Sequence, residues 1–193
     1  MYKLKIISST VRPGRKGPLI AEWIAKKVEA FGSFDYEIVD LGELNLPMMD
    51  EPNHPSLKKY EHEHTLKWSA KIEEADAFIF VTSEYNYGYP AALRNALEYL
   101  QQEWAYKAGA IVSYGGISAG TRAANSLKAD LATLKIVPIM EMVNIPFFSH
   151  QIDQEEKFIG NEKNDAAAFA LLRQLLRWTK GLVIIKADTD ISE

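Results

Sequence analysis

The sequence predicts an α/β fold in which one five-stranded parallel sheet is covered by helices on both faces. Three observations carry this reading. Apolar stretches of strand length alternate five times with stretches of helical periodicity, the pattern of repeated βα units. The stretch Ala77-Phe78-Ile79-Phe80-Val81 is apolar at every position, as a strand covered on both faces must be. The chain has 193 residues, 47% of them hydrophobic, which suits one domain able to bury its own core.

The elements follow in order. Leu4 to Ser8 is short and isoleucine-rich, a buried strand. Ser8 to Gly17 is a polar loop with Pro13, Gly14 and Gly17. Pro18 can open a helix, since the first helical position needs no N–H. Leu19, Ile20, Trp23, Ile24, Val28 and Phe31 then form one apolar face, ended by Gly32. Tyr36 to Leu41 is the second strand, and Gly42 to Pro55 is irregular. Either Ser56 or Thr65 caps a helix running to about Glu74. Asp76 to Thr82 is the third strand. Pro90 begins a helix with Leu93, Leu97 and Leu100. Ala108 to Ser113 is the fourth strand, and the next helix carries Leu127, Leu131 and Leu134. Ile136 to Val143 is the fifth strand and Asp165 to about Lys180 the last helix, capped by Asn164 or Asp165. Residues from about 184 to 193, with their acidic end, read as a frayed tail.

Pro138 lies in the fifth strand, and proline is tolerated mainly at a sheet edge. Of the two common orders for such a sheet, 2-1-3-4-5 puts that strand at an edge, so the expectation is a flavodoxin-like sheet of that order. No repeat or linker divides the chain, so residues 1–193 are read as a single domain.

Composition removes several classes of function. There is no cysteine, hence no disulfide, thiolate metal site or cysteine nucleophile. A net charge of −4 without a basic stripe gives no footprint for nucleic acid. No apolar run approaches a membrane span and no signal peptide is read, so a cytoplasmic protein is expected. Gly-x-Ser-x-Gly, Gly-x-Gly-x-x-Gly and the Gly-Lys-Ser/Thr loop are all missing. His62-Glu63-His64 is no chelate on a regular helix, because positions two apart point to different faces. Trp23, Trp68 and Trp178 read as packing residues, and Trp104 as either core or subunit contact.

In an open parallel sheet, ligands bind beyond the carboxyl ends of the strands near the switch point. Three loops lie there. Ser8-Ser9-Thr10-Val11-Arg12-Pro13-Gly14-Arg15-Lys16-Gly17 offers hydroxyls, guanidinium groups and a helix start, which suit a phosphate monoester. Ser83-Glu84-Tyr85-Asn86-Tyr87-Gly88-Tyr89-Pro90 offers rings and an amide, which suit a flat heterocycle. Ser113-Tyr114-Gly115-Gly116-Ile117-Ser118-Ala119-Gly120 allows a close backbone approach.

With these three loops in this order, the chain resembles the NADPH-dependent FMN reductase family from Lys5 to about Trp178. The likeness lies in the Ser-x-Arg type phosphate loop, the Glu84-Tyr85-Asn86 segment followed by Pro90 and Leu93-Arg94-Asn95-Ala96-Leu97-Glu98, and Ser113-Tyr114-Gly115-Gly116. The chain departs from the family pattern at Ser83, Arg94 and Glu98, where proline, lysine and aspartate are usual, and in carrying Val11 as an insertion. The resemblance implies FMN as cofactor and NADPH as co-substrate. Ser9, Thr10, Arg12, Lys16 and Gly17 would take the phosphate, with either Ser9 or Thr10 as the main hydroxyl. Glu84, Tyr85, Asn86 and Tyr87 would lie along the ring, and Ser113, Gly115 and Gly116 at its polar edge. The implied activity is hydride transfer from NADPH to FMN and onward, by a ping-pong scheme, to a quinone, azo dye, metal ion or free flavin. No catalytic side chain is named, since the cofactor carries the chemistry.

Arg15, Lys16 and Arg122 are the candidate cations for preferring NADPH. The family also implies a homodimer or homotetramer, with Tyr99, Gln101 and Trp104 of the Pro90–Trp104 segment in the contact. The competing readings are a flavodoxin-like electron carrier, a flavin-dependent redox sensor or scaffold, and a quinone reductase that uses FAD.

Overall fold

The computed structural model describes residues 1–188. Its strands are β1 (Tyr2–Ser8), β2 (Phe34–Asp40), β3 (Ala77–Ser83), β4 (Lys107–Tyr114) and β5 (Ile136–Ile145). They form one parallel sheet in the order β2-β1-β3-β4-β5. The helices are α1 (Gly17–Phe31), α2 (Leu41–Leu44), α3 (Glu63–Glu73), α4 (Ala91–Glu98), α5 (Thr121–Thr133) and α6 (Glu162–Ala187).

Strand periodicity splits the core in two. Leu4, Ile6, Ile79, Val81, Ala110 and Val112 meet α1 and α6 on one face. Ile7, Phe78, Phe80 and Ile111 meet α3, α4 and α5 on the other, around Trp68 and Trp104. From β1 the chain runs outward to β2, and from β3 outward to β4. The loops after β1 and β3 therefore part, and a crevice opens between them.

β5 is the edge strand, as Pro138 requires, and it runs on to Ile145. Its register against β4 slips between Gly109 and Ile111, just past the residue that lacks an N–H. The helix expected from Ser56 or Thr65 instead opens at Glu63. Ser56 lies in a separate short turn, and Thr65 is buried in the first turn of α3. The carboxylate of Glu51 accepts from the N–H groups of Glu61 and His62 just ahead of the helix and so fixes how the chain enters it.

α6 starts earlier than expected because Asn161, not Asn164 or Asp165, is its cap. The Asn161 side chain accepts from the Asn164 N–H at 3.0 Å, and that of Asn164 accepts from the Asn161 N–H at 3.1 Å. The helix continues through Ala187, so residues 184–187 are helical and not tail; 189–193 lie outside the described residues.

Three aromatic assignments change. Tyr99 and Trp104 are fully buried, so neither can form a subunit contact. Trp178 is 47% exposed, so it is not core. The rings of His62 and His64 stack at 5.2 Å because His62 lies just outside the helix, and both bond to Asp50. Among the described residues, no group of His, Asp or Glu is placed to hold a metal. None of the described helices is long and apolar enough to cross a membrane.

Lys107 opens β4 at the sheet end away from the crevice. It is 2% exposed, and its ammonium donates to the carbonyls of Ile72 and Glu73 at 2.6 and 3.0 Å. Burial pulls its pKa down to about 7. The unfolded chain, with an ordinary lysine, binds this proton up to about pH 10.4. The native state therefore gains stability relative to the unfolded chain as pH rises from about 7 to about 10. Lys107→Met is expected to remove that component. Melting temperatures of the two proteins, measured from pH 6 to pH 10, should shift in favour of the wild type as pH rises. Parallel profiles would show that Lys107 titrates normally.

Candidate active site

The loops after β1, β3 and β4 do converge. With the start of the loop after β5 they enclose a cleft of about 200 Å³, lined by Arg12, Arg15, Lys16, Ser83, Glu84, Tyr85, Tyr114, Gly115, Gly116 and Phe148. A larger groove at the amino ends of the strands, beside Gln102, Tyr106 and Leu134, lies away from the switch point.

The loop after β1 forms the floor. Ser9 is pinned by its N–H to the carbonyl of Val81 at 3.0 Å. Ser8, Ser9 and Thr10 are all buried, yet the hydroxyls of Ser8 and Ser9 have no hydrogen-bond partner. A buried hydroxyl without a partner costs on the order of 1–3 kcal/mol, so a bound acceptor there would be stabilised. Gly17 opens α1 over this floor. A Cβ on Gly17 would lie 2.4 Å from Thr10 Oγ1, 3.0 Å from Ser8 Oγ and 3.1 Å from the Tyr114 hydroxyl. The bare glycine thus lets three hydroxyls pack directly against an N-terminus whose capping residue, Lys16, makes no side-chain cap. Burial pushes the Tyr114 hydroxyl up to about pKa 12, so it stays protonated, and it donates to Thr10 Oγ1 at 3.5 Å.

The cations divide. Arg15 turns away to Asp40 at 2.9 Å and Glu43 at 3.1 Å, and its guanidinium covers Gly42. Lys16 has one long, exposed ion pair, to Glu156 at 3.7 Å. Arg12 forms no ion pair among the described residues, and its guanidinium lies 5.8 Å from the centre of the Tyr85 ring. Hydroxyls packed at a helix start and an arginine with no ion pair among the described residues are a donor set that fits a phosphate monoester.

The loop after β3 is a two-residue hairpin. The N–H groups of Tyr85 and Gly88 donate to each other's carbonyls at 2.8 and 3.0 Å. Asn86 and Tyr87 between them have φ of 48° and 71°. Asn suits that conformation, whereas a tyrosine there is strained and must be held. Arg122 holds it: its guanidinium stacks 3.9 Å from the centre of the Tyr87 ring. Arg122 also donates to Glu84 through Nε at 2.6 Å, and Ser118 Oγ donates to Glu84 at 3.0 Å. Arg122 keeps the Glu84 carboxyl below the usual carboxylate range. Glu84 is thus a tie between two loops as well as a wall of the cleft.

The loop after β4 differs from expectation in two places. Ser113 is fully buried and its hydroxyl points inward, 2.8 Å from both Ala119 O and Asn144 Oδ1, so it does not reach the cleft. The N–H of Gly115 donates to Ile145 O at 3.2 Å, so it is not available to a ligand. Gly115 and Gly116 still line the cleft with their backbones.

Sequence reasoning passed over Tyr114 and Phe148, which meet edge to face at 4.9 Å as the cleft wall. The signal was Phe147-Phe148 directly after β5, at a fourth strand end on the same side.

The NADPH-dependent FMN reductase family model matches residues 2–150. An NAD(P)H-dependent FMN reductase of Schizosaccharomyces pombe is 43% identical over 148 residues, 75% of this chain and 74% of that protein. Another, from Nectria sp, is 35% identical over 156 residues, 76% of each chain. The flavoenzyme FerB, an NAD(P)H:(acceptor) oxidoreductase from Paracoccus denitrificans, superposes with a TM-score of 0.75 at 21% identity, over 94% of this chain and 98% of that one. Its agreement concerns the flavodoxin-like fold, which the strand order shows independently. The chain belongs to the NADPH-dependent FMN reductase family, oxidoreductases that use FMN with NAD(P)H as the electron donor.

Proposed function

We propose that this chain is one FMN-binding domain acting as an NAD(P)H:acceptor oxidoreductase by a two-stage, ping-pong scheme. The observation that carries it is the meeting of two buried, partnerless hydroxyls, the helix start at Gly17 and Arg12, which has no ion pair among the described residues, beside the cleft that Arg12 and Tyr114 line. Ser8, Ser9, Thr10, Arg12 and the start of α1 would hold the FMN phosphate. Tyr85, Asn86 and Tyr87 would border the ring, with Glu84 fixing their loop. The backbones of Gly115 and Gly116 would meet its polar edge, and Ser113 supports that strand end from within. When bound, FMN supplies the hydride and electron chemistry.

The protein then has three tasks: to orient the cofactor, to leave room for one substrate at a time, and to keep Tyr114 protonated as a donor beside the phosphate. Ser113, Glu84 and Arg122 act by positioning. Donor and acceptor share the one cleft mouth, so the oxidised donor must leave before the acceptor enters. Relatives named for azo dye and quinone reduction favour a small, flat acceptor. Arg15 and Arg122 are committed to carboxylates, so Lys16 is the cation with least to give up for the extra phosphate of NADPH.

The test is steady-state kinetics with a quinone and an azo dye on protein whose extracted flavin has been identified by mass. FMN and parallel double-reciprocal lines are expected. Intersecting lines would overturn the shared mouth. FAD in the extract, or fully bound FMN with no NAD(P)H oxidation, would favour a different flavoprotein role.

A further inference from the structure

Two residues with left-handed backbone meet at the end of the sheet away from the cleft. Tyr106, just ahead of β4, has φ of 59°, and Lys135, just ahead of β5, has φ of 58°. The Tyr106 N–H donates to Lys135 O at 2.9 Å, so the two lie side by side. Glycine or asparagine takes this conformation with least strain, yet the chain has a tyrosine and a lysine here. The turns by themselves do not call for these side chains, and both side chains line one cavity.

The cavity is the groove at the amino ends of the strands. It holds about 330 Å³, the size of a small-ligand site, and Gln101, Gln102, Leu134 and Lys186 join Tyr106 and Lys135 around it. β4 runs from this end to Tyr114 in the cleft, about 23 Å at about 3.3 Å per residue, so the two sites are separate.

The walls select a class of ligand. The Tyr106 ring is 41% exposed, with the Lys135 ammonium 5.5 Å from its centre, and Leu134 stands beside them. A flat ring packs well against such a wall. Two lysines line the cavity and no carboxylate does, so a negative charge is favoured. Lys186 pairs with Glu73 at 3.4 Å on the surface, a contact exchanged at little loss. The carbonyl ends of α5 and α6 also reach this place, and their dipoles oppose a concentrated double charge. No arginine lines the cavity and no helix begins there, so a phosphate finds no cradle. One charge spread over a carboxylate on an aromatic ring meets all of these conditions.

We propose that this cavity is a second binding site, separate from the flavin cleft, for a small aromatic carboxylate. The ring lies against Tyr106, the carboxylate meets the ammonium groups of Lys135 and Lys186, and the Gln101 amide adds a donor at the rim.

The test is calorimetric titration of the full chain, saturated with FMN, with 2-naphthoate. One molecule per chain should bind with a dissociation constant below about 1 mM. Neutral 2-naphthamide, ring-free cyclohexanecarboxylate and inorganic phosphate should each bind at least about tenfold more weakly. Tyr106→Asn and Lys135→Asn remove the ring and the charge in turn, and asparagine accepts the left-handed backbone. Each should weaken naphthoate binding at least about tenfold, with flavin content and melting temperature unchanged. No saturable binding up to about 10 mM, or wild-type affinity in both variants, would overturn the site. Binding that alters the flavin absorbance and ignores both substitutions would place naphthoate in the cleft and overturn it too. Phosphate binding as tightly as naphthoate would overturn the aromatic carboxylate as its ligand.

Discussion

Gly17→Ala is expected to raise the FMN dissociation constant about 100-fold while leaving the sheet folded, equivalent to nearly 3 kcal/mol of binding. The added methyl would lie 2.4 Å from Thr10 Oγ1. Thr10 is buried, with Ser8 Oγ and the Tyr114 hydroxyl close to the methyl, so relief comes by displacing the hydroxyls that would face the phosphate. Overpacking of this kind costs about 1–3 kcal/mol of stability, which a domain of this size survives. Arg12→Ala offers a second reading of the same site without steric change. It removes a charged donor that has no ion-pair partner among the described residues, so binding should weaken by about 1.5–3 kcal/mol. Titration of flavin-free protein with FMN, followed by quenching of flavin fluorescence, measures both. Wild-type affinity in both variants would mean that the phosphate lies elsewhere.

The largest loss of stability is expected from Trp104→Ala, about 3–5 kcal/mol. Trp104 is fully buried and packs against Phe78 at 5.0 Å, Trp68 at 5.8 Å and Phe80 at 6.4 Å between ring centres. Its indole N–H donates to Leu97 O at 3.2 Å. Removal leaves a cavity among rings from β3 and α3 and takes the indole donor from Leu97 O, which keeps a longer bond from the Leu100 N–H at 3.4 Å. Trp178→Ala, at the surface, is the control and should cost the isolated chain less than about 1 kcal/mol. Urea unfolding of dilute samples separates the two. Equal small losses would show that the indole of Trp104 is not central to the core.

The strands were legible because a buried parallel strand needs an unbroken apolar run, and Ala77–Val81 and Ala108–Val112 have one. Pro138 set the strand order by itself, since only an edge tolerates its missing N–H. Helix starts were less legible where the cap was reciprocal or distant. Asn164 looks like a cap but is the inner partner of Asn161, and the chain's entry into α3 is fixed by the distant Glu51. The three convergent loops were visible in composition, yet the tasks of their charged residues were not. Arg15 belongs to Asp40 and Arg122 to Glu84, pairs made by topology between residues far apart in sequence. Ser113 was misassigned for the same reason: its partner Asn144 is on a neighbouring strand.

The Glu84–Arg122 tie couples two stretches of backbone that would otherwise breathe independently. Because Arg122 grips both the carboxylate of one loop and the Tyr87 ring, the hairpin cannot swing outward without dragging the first turn of α5 or breaking two contacts of one side chain. The mouth of the cleft is therefore hinged as a single leaf. Arg122 and Ser118 both hold Glu84, so any change in the bulk of the admitted molecule must be met by both loops together.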